Sequence, residues 1–292
     1  MGNETKRILL VGAIGAALAL GTGCTGGLDR YNQDIPDPGT DDTAAGTDTG
    51  TATDTDTQEP DTAWMNVCHP LDPMDTAGWQ RTYSVQYVGQ TGTETQQGLG
   101  GGSYHSELAA GTNTWSMDVD QGCDSQGRAV QLGWQGKNSV TSSGIFPQTK
   151  TYDVVATTDV PRPYLEDLAT MRAGGSWSYT YNLHLKATQI NADGTTGPFP
   201  KQGDVPSSGQ YVAWGRQPVT VGGVTYNAYY VNNQYTQDWT AMGNGFGNVD
   251  GYSELWYVEG LGLVKEITTD LADPSSVYIS KELIAYTGLT PQ

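Results

Sequence analysis

The chain has 292 residues and a formal net charge of −18, from 32 acidic against 14 basic side chains. Phosphate binding over a wide surface needs a cationic face, so this balance argues against a nucleic-acid partner. Tyrosine (17) and tryptophan (8) far outnumber phenylalanine (3), glycine is abundant (39) and charge is sparse at 16%, a composition that favours strands over helices.

The first seven residues, MGNETKR, end in two cations, and residues 8–20, ILLVGAIGAALAL, carry no charge and no proline. A bilayer-spanning helix needs about 20 apolar residues, so this run is short for a permanent span. A basic start, a short apolar centre and small residues before a cut site describe a secretory signal peptide. A signal ending at Cys24 resembles the bacterial lipoprotein class. The usual leucine stands three residues before the cysteine; here Leu20 stands four before it, and Gly21 takes the leucine slot. The resemblance implies cleavage after Gly23, lipid on the Cys24 sulfur and a place in the cell envelope, on the outer membrane. Two or more acyl chains anchor a protein stably, whereas one binds marginally.

Residues 24–62 are rich in Asp, Thr and Gly, with ten acids against Arg30. They cannot bury enough apolar surface to offset chain entropy and should stay disordered. A flexible chain of that length spans about 35 Å, the reach of a tether. Residues 63–292 then form a single β-rich domain.

If Cys24 carries lipid, Cys68 and Cys123 remain as a pair. Export places them where disulfides persist, and the loop they would enclose corresponds to roughly 4 kcal/mol in the chain-entropy account. The alternative is two buried thiols.

Along the domain, alternation at period two marks half-buried antiparallel strands. TYSVQYV places Tyr83, Val85 and Tyr87 on one face; TWSMDV does so for Trp115, Met117 and Val119, and AVQLGW for Val130, Leu132 and Trp134. In SWSYTYNLHLKA, Trp177, Tyr179, Tyr181, Leu183 and Leu185 share a face. GLGGGSY (98–104) reads as a hairpin tip, and VGGV (221–224) as a tight hairpin needing positive φ. Further strands are expected in QYVAWG, TYNAYYVNN, SELWYVE, GLVKEITT and VYISKELIAY. In the last two, Lys265 lies between Leu263 and Ile267, and Lys281 between Ile279 and Leu283, which predicts stems along the sheet with heads in water, or edge positions. One helix of one or two turns is expected in PRPYLEDLATMRAGG, with Leu165, Leu168 and Met171 on one face. The fold class is therefore mainly β: a twisted antiparallel sheet, half-barrel or barrel-like, with very little helix.

LWYVEGLGLVKEI (255–267), preceded by GRQPVTVGGVTYNAYYV, resembles bacterial envelope β-proteins related to the lipoprotein-carrier (Lol-type) fold. That resemblance implies a curved sheet cupping a hydrophobic cavity, and transport of a lipid or other apolar ligand. The chain departs from it in being tyrosine-rich and nearly helix-free.

No metal spacing joins His69, His105 and His184, and neither HExxH nor GxSxG is present, so zinc proteolysis and the hydrolase elbow lack their markers. The glycines at 98–102 have no lysine and no following helix, so they do not form a phosphate loop. Ser103, His105 and Glu107 alternate along a strand and can share a face. Asp118, Asp120 and Asp124, and Asn248, Asp250 and Glu254, offer oxygens near glycines, a pattern equally typical of β-turns. Glu254, Glu259 and Glu266 lie close along the chain, as paired carboxylates for sugar hydrolysis would. None of these patterns names a reaction. The expectation is a non-enzymatic domain without cofactor or metal that binds an envelope component or serves a structural role. The alternatives are a Lol-type carrier and a glycan-binding or glycan-active module.

Overall fold

The computed structural model describes residues 69–73, 76–87, 89–141, 149–242 and 247–291, leaving aside the side chains of 140 and 198–201. The expected signal peptide, the expected tether and Cys68 lie outside the described residues.

Twelve strands follow one another: β1 (Ala77–Tyr87), β2 (Gln90–Gly100), β3 (Ser103–Ala110), β4 (Asn113–Cys123), β5 (Ala129–Thr141), β6 (Thr149–Leu165), β7 (Ser176–Ile190), β8 (Thr196–Val221), β9 (Val224–Asp238), β10 (Asn248–Val258), β11 (Gly262–Asp270) and β12 (Val277–Thr287). Each pairs antiparallel with the next, and β1 pairs with β12, closing the sheet into a barrel. The expected strands coincide with these elements, except that Glu259 of SELWYVE lies past the end of β10 and Val88 of TYSVQYV lies outside the described residues. Because the wall closes, it has no edge, and neither lysine occupies one.

Among the described residues one α-helix, α1 (Leu168–Ala173), joins β6 to β7. Asp167 caps it by accepting hydrogen bonds from the Ala169 and Thr170 amides, and Gly174 ends it in the left-handed region (φ 75°). It is shorter than its sequence pattern: Leu165 is the last residue of β6, because ladder pairing with Ala129 claims it first.

Alternation sends one face of every strand inward. Among the described residues ten tyrosines and five tryptophans are buried. A wall of this many strands is too wide for aliphatic side chains alone to fill. Long rings reach toward the axis and pack on one another, as Trp177 on Tyr211 (5.0 Å between centroids) and Tyr87 edge-on to Trp115 (5.4 Å). Glycines make room for them: a Cβ at Gly98, Gly209 or Gly251 would stand 2.2 Å from Trp79, Tyr179 or Tyr235. Aromatic side chains thus lie over bare backbone on the neighbouring strand.

The outer face carries the polar half of the pattern, with Gln80, Ser84 and Gln86 on β1 and Ser178, Thr180 and His184 on β7 exposed. In AVQLGW a bulge between Gln131 and Gly133 breaks the alternation. Leu132 consequently points outward and is exposed, while Val130 and Trp134 are buried.

The two ends differ. The turn Gly222–Gly223 (φ 56° and 81°) makes the expected tight hairpin at one end. The β2–β3, β4–β5, β6–β7 and β10–β11 connections lie at the same end, with residues 69–73 tucked among them: Leu71 and Asp72 are buried, and Gly260 donates to the Pro70 carbonyl. This end is closed. The opposite end carries the β1–β2, β3–β4, β5–β6, β7–β8, β9–β10 and β11–β12 connections.

Candidate functional site

Charge lies on the barrel's inward face. Lys281 is 1% exposed. Its Nζ stands 3.1 Å from a Glu266 carboxylate oxygen and 3.4 Å from one of Glu94. This corrects the sequence expectation for that lysine. Burial alone would lower its pKa, but the two glutamates hold it above its ordinary value. Burial pushes the Glu266 carboxyl up, against the pull of Lys281. Glu94 also accepts hydrogen bonds from Gln96 (2.7 Å) and Ser106 (2.9 Å), and Glu266 accepts one from Thr268 (3.1 Å). Lys265 does follow expectation, lying over the Trp256 ring at 5.6 Å on the outer face.

Nearer the closed end, Arg81 donates to Asp72 (2.9 Å), which also accepts from Tyr164 (2.9 Å). Arg162 donates to Gln131 (2.6 Å) and to the Tyr211 hydroxyl (2.7 Å). The described buried groups are therefore balanced: Asp72, Glu94 and Glu266 against Arg81, Arg162 and Lys281. The cavity beside Arg81, Asp72, Gln96, Tyr104, Glu266 and Lys281 measures about 40 Å³. That is room for water, not for a lipid, since ligand pockets run to about 300–1,000 Å³.

At the closed end, the Leu71 amide donates to His69 Nδ1 (3.2 Å), so the ring proton sits on Nε2, which donates to the Glu166 carbonyl (2.7 Å). Burial lowers the His69 pKa, against the Glu166 bond and nearby acids. On the rim, Glu259 Oε1 accepts from the Tyr229 hydroxyl (2.8 Å), pairs with Arg172 (3.5 Å) and takes a short contact from Arg216. Arg172 also donates to the Tyr229 hydroxyl (3.0 Å), and the Arg216 guanidinium lies over the Tyr229 ring at 4.9 Å.

On the outer face, His105 sits among Asp118 (2.7 Å from Nδ1), Ser116 (3.3 Å from Nε2) and Glu107 (3.5 Å from Nε2). The order Asp–His–Ser is that of a nucleophile relay. Partial burial opposes charge on this ring, but the bonds to Asp118 and Glu107 outweigh it and raise its pKa. The Ser116 hydroxyl is 3.3 Å from Nε2, and Glu107 lies 3.5 Å from the same nitrogen, so serine and carboxylate share one ring atom. Ser103 bonds Asp120 (2.8 Å) instead of His105. Beside it, a shallow groove of about 320 Å³ runs past Asp120, Leu132, Gln135 and Val155.

The remaining expected groupings disperse. Asp124 is bound by Arg128 (2.6 Å) and caps its own turn, Asp250 accepts from Thr236, and Glu254 accepts from Tyr230 (2.5 Å). Among the described residues no three His, Cys, Asp or Glu side chains are gathered to hold a metal ion. Glu254 faces outward, Glu266 inward, and Glu259 sits on the rim, so they do not form a carboxylate pair. His184 bonds Asp204 on the outer face (2.7 Å). Cys123 ends β4. Sequence reasoning missed Asp72, Arg81 and Arg162 as a buried set, and Arg172 with Arg216 as a rim pair.

No family model and no curated protein matches the chain. A solved structure from Bacteroides fragilis, assigned a YMCC-like fold and provisionally described as exported, aligns over 73% of this chain and 97% of its own, at 11% identity and a TM-score of 0.40.

Proposed function

We propose that this chain is a lipid-anchored protein of the bacterial cell envelope whose barrel is a non-enzymatic module that binds an envelope component or plays a structural role. The observation that carries the non-carrier part is the charge-balanced cluster around Lys281 on the barrel's inward face, with a cavity of about 40 Å³ beside it. A carrier of the Lol type needs an apolar cavity of lipid size, and the axis holds charges and tyrosines instead. The polar outer face is the reverse of a membrane barrel, whose strands turn apolar side chains to lipid. In this reading attachment is by lipid on Cys24, through residues 24–62. Intact mass and detergent partitioning test this: the native chain should partition with detergent and carry acyl mass, and Cys24→Ser should lose both. A Cys24→Ser chain that still carries acyl mass overturns it.

Within this reading Cys68 pairs with Cys123. In support, contacts link the neighbours of the two positions: His69 to Glu166 (2.7 Å), Glu166 to Arg128 (3.8 Å), and Arg128 to Asp124 (2.6 Å). Thiol labelling of the denatured, unreduced protein should find neither cysteine free.

A further inference from the structure

We infer that the closed rim holds a binding site for a phosphate group, made by Arg172 and Arg216. It goes beyond the reading above and does not depend on lipid at Cys24.

The argument starts from donor arithmetic. Arg172, Arg216 and the Tyr229 hydroxyl all converge on one oxygen, Glu259 Oε1. A carboxylate oxygen has two lone pairs, so three donors oversubscribe it. Arg172, at 3.5 Å, holds the weakest share. Each guanidinium carries five N–H groups in a planar fork, and most of these are left over. They are accessible: the side chain of Arg172 is 52% exposed and that of Arg216 is 39% exposed. Two cations on one carboxylate leave one positive charge, in a chain whose overall charge is −18.

The site is positioned rather than incidental. Arg172 lies in the last turn of α1, where the helix is capped by Gly174. Arg216 follows the bulge between Ala213 and Arg216, pinned where the Ala213 amide donates to the Gly175 carbonyl (2.8 Å). The helix and the bulge thus bring the two forks to one point. Glu259 engages Nη2 of both arginines and Tyr229 engages Nε of Arg172, so the Nη1 groups are the ones offered to an oxyanion. A tetrahedral phosphate offers several oxygens to two forks, which is the bidentate arrangement arginine favours. Trp214 stands in the same bulge, two residues before Arg216, and is 43% exposed. An exposed indole beside cations is the pairing found at the lipid–water boundary. The phosphate can therefore come from a lipid headgroup or from a soluble phosphate compound.

The test is titration of the full chain with inorganic phosphate, followed by calorimetry and by NMR of the arginine Nε–H groups. Arg172→Gln with Arg216→Gln should weaken binding about tenfold or more, with a thermal melt confirming that the double variant is folded at the titration temperature. Glu259→Gln is the decisive variant. It removes the competing carboxylate and keeps an acceptor for Tyr229, so phosphate should bind about threefold tighter or better. If the three residues are only a structural ion cluster, Glu259→Gln lowers stability and leaves phosphate binding absent or unchanged; that result overturns the proposal. Flotation with phosphatidylglycerol against phosphatidylcholine vesicles separates the sources, with wild type and the double arginine variant compared in one Cys24→Ser background. Arginine-dependent flotation with phosphatidylglycerol assigns the site to lipid headgroups. Arginine-dependent phosphate binding without flotation assigns it to a soluble phosphate.

Discussion

The two ends of the barrel are built by opposite means. At the opposite end three of the hairpins carry their own turn bonds: Asp193 accepts from Thr195, Asp238 from Thr240 and Asp273 from Ser275, each two residues along the chain. These turns set strand pairing locally. At the closed end the bonds span the sequence, from His69 to Glu166, Tyr164 to Asp72 and Gly260 to Pro70. The difference teaches where long-range specification resides. Turn chemistry can be exchanged piecemeal, whereas the closed end exists only when distant strands have already met.

The strongest test of this contrast lies on the axis between the ends. Lys281→Met leaves Glu94 and Glu266 buried without a cation and should cost about 3–5 kcal/mol, read from urea unfolding. Adding Glu266→Gln should recover part of the loss, because one stranded carboxylate is removed.

Asp72→Asn comes next. It weakens the partner of Arg81 and Tyr164 and should cost about 2–3 kcal/mol. Asp273→Ala, an equal change of charge in the opposite turns, should cost about 0.5 kcal/mol. Similar losses from the two would break the comparison.

Packing should not distinguish the ends. Gly98→Ala, under Trp79 near the closed end, and Gly251→Ala, under Tyr235 toward the other, should each cost about 1–3 kcal/mol by overpacking. Thermal melts of both variants check it.

The smallest effects are in pH dependence, and they run in opposite directions. The His69 pKa is lowered by burial, so the unfolded chain binds its proton more readily. Its contribution is present above 6.5, the ordinary value, and is lost as pH falls through the folded pKa. The His105 pKa is raised by Asp118 and Glu107. Its contribution is present below 6.5 and is lost as pH rises through the folded pKa. Stability curves of His69→Gln and His105→Gln should therefore separate from wild type on opposite sides of that value. Histidine NMR titrations check the two directions separately.

Much of the barrel was legible because period-two alternation survives wherever a strand is regular: Trp177 through Leu185 are inward as their spacing predicts. It failed where the ladder slips. The bulge at Gln131–Gly133 turns Leu132 outward, and no property of AVQLGW announces a bulge. Lys281 was misread for a deeper reason. A lysine between apolar residues fits a snorkelling stem and a buried ion equally well, and what decides is its partners. Glu94 lies 187 residues away and Glu266 on the neighbouring strand, a proximity that closure creates. Arg172 and Arg216 escaped for the same reason, since one belongs to a helix and the other to a bulge.

The seam between β1 and β12 has its own consequence. Every other pair joins consecutive strands, but this one sets Gln80 against Thr287. Loop entropy makes so long a closure only modestly unfavourable, about 0.6 kcal/mol for each doubling of length, yet it makes the step late. A chain emerging amino end first must hold its opening strand unpaired on one side until the last has been delivered. During that wait both margins of the growing sheet are templates for foreign strands. Deleting β12 would therefore not trim the protein; it would leave it permanently in that adhesive half-built condition.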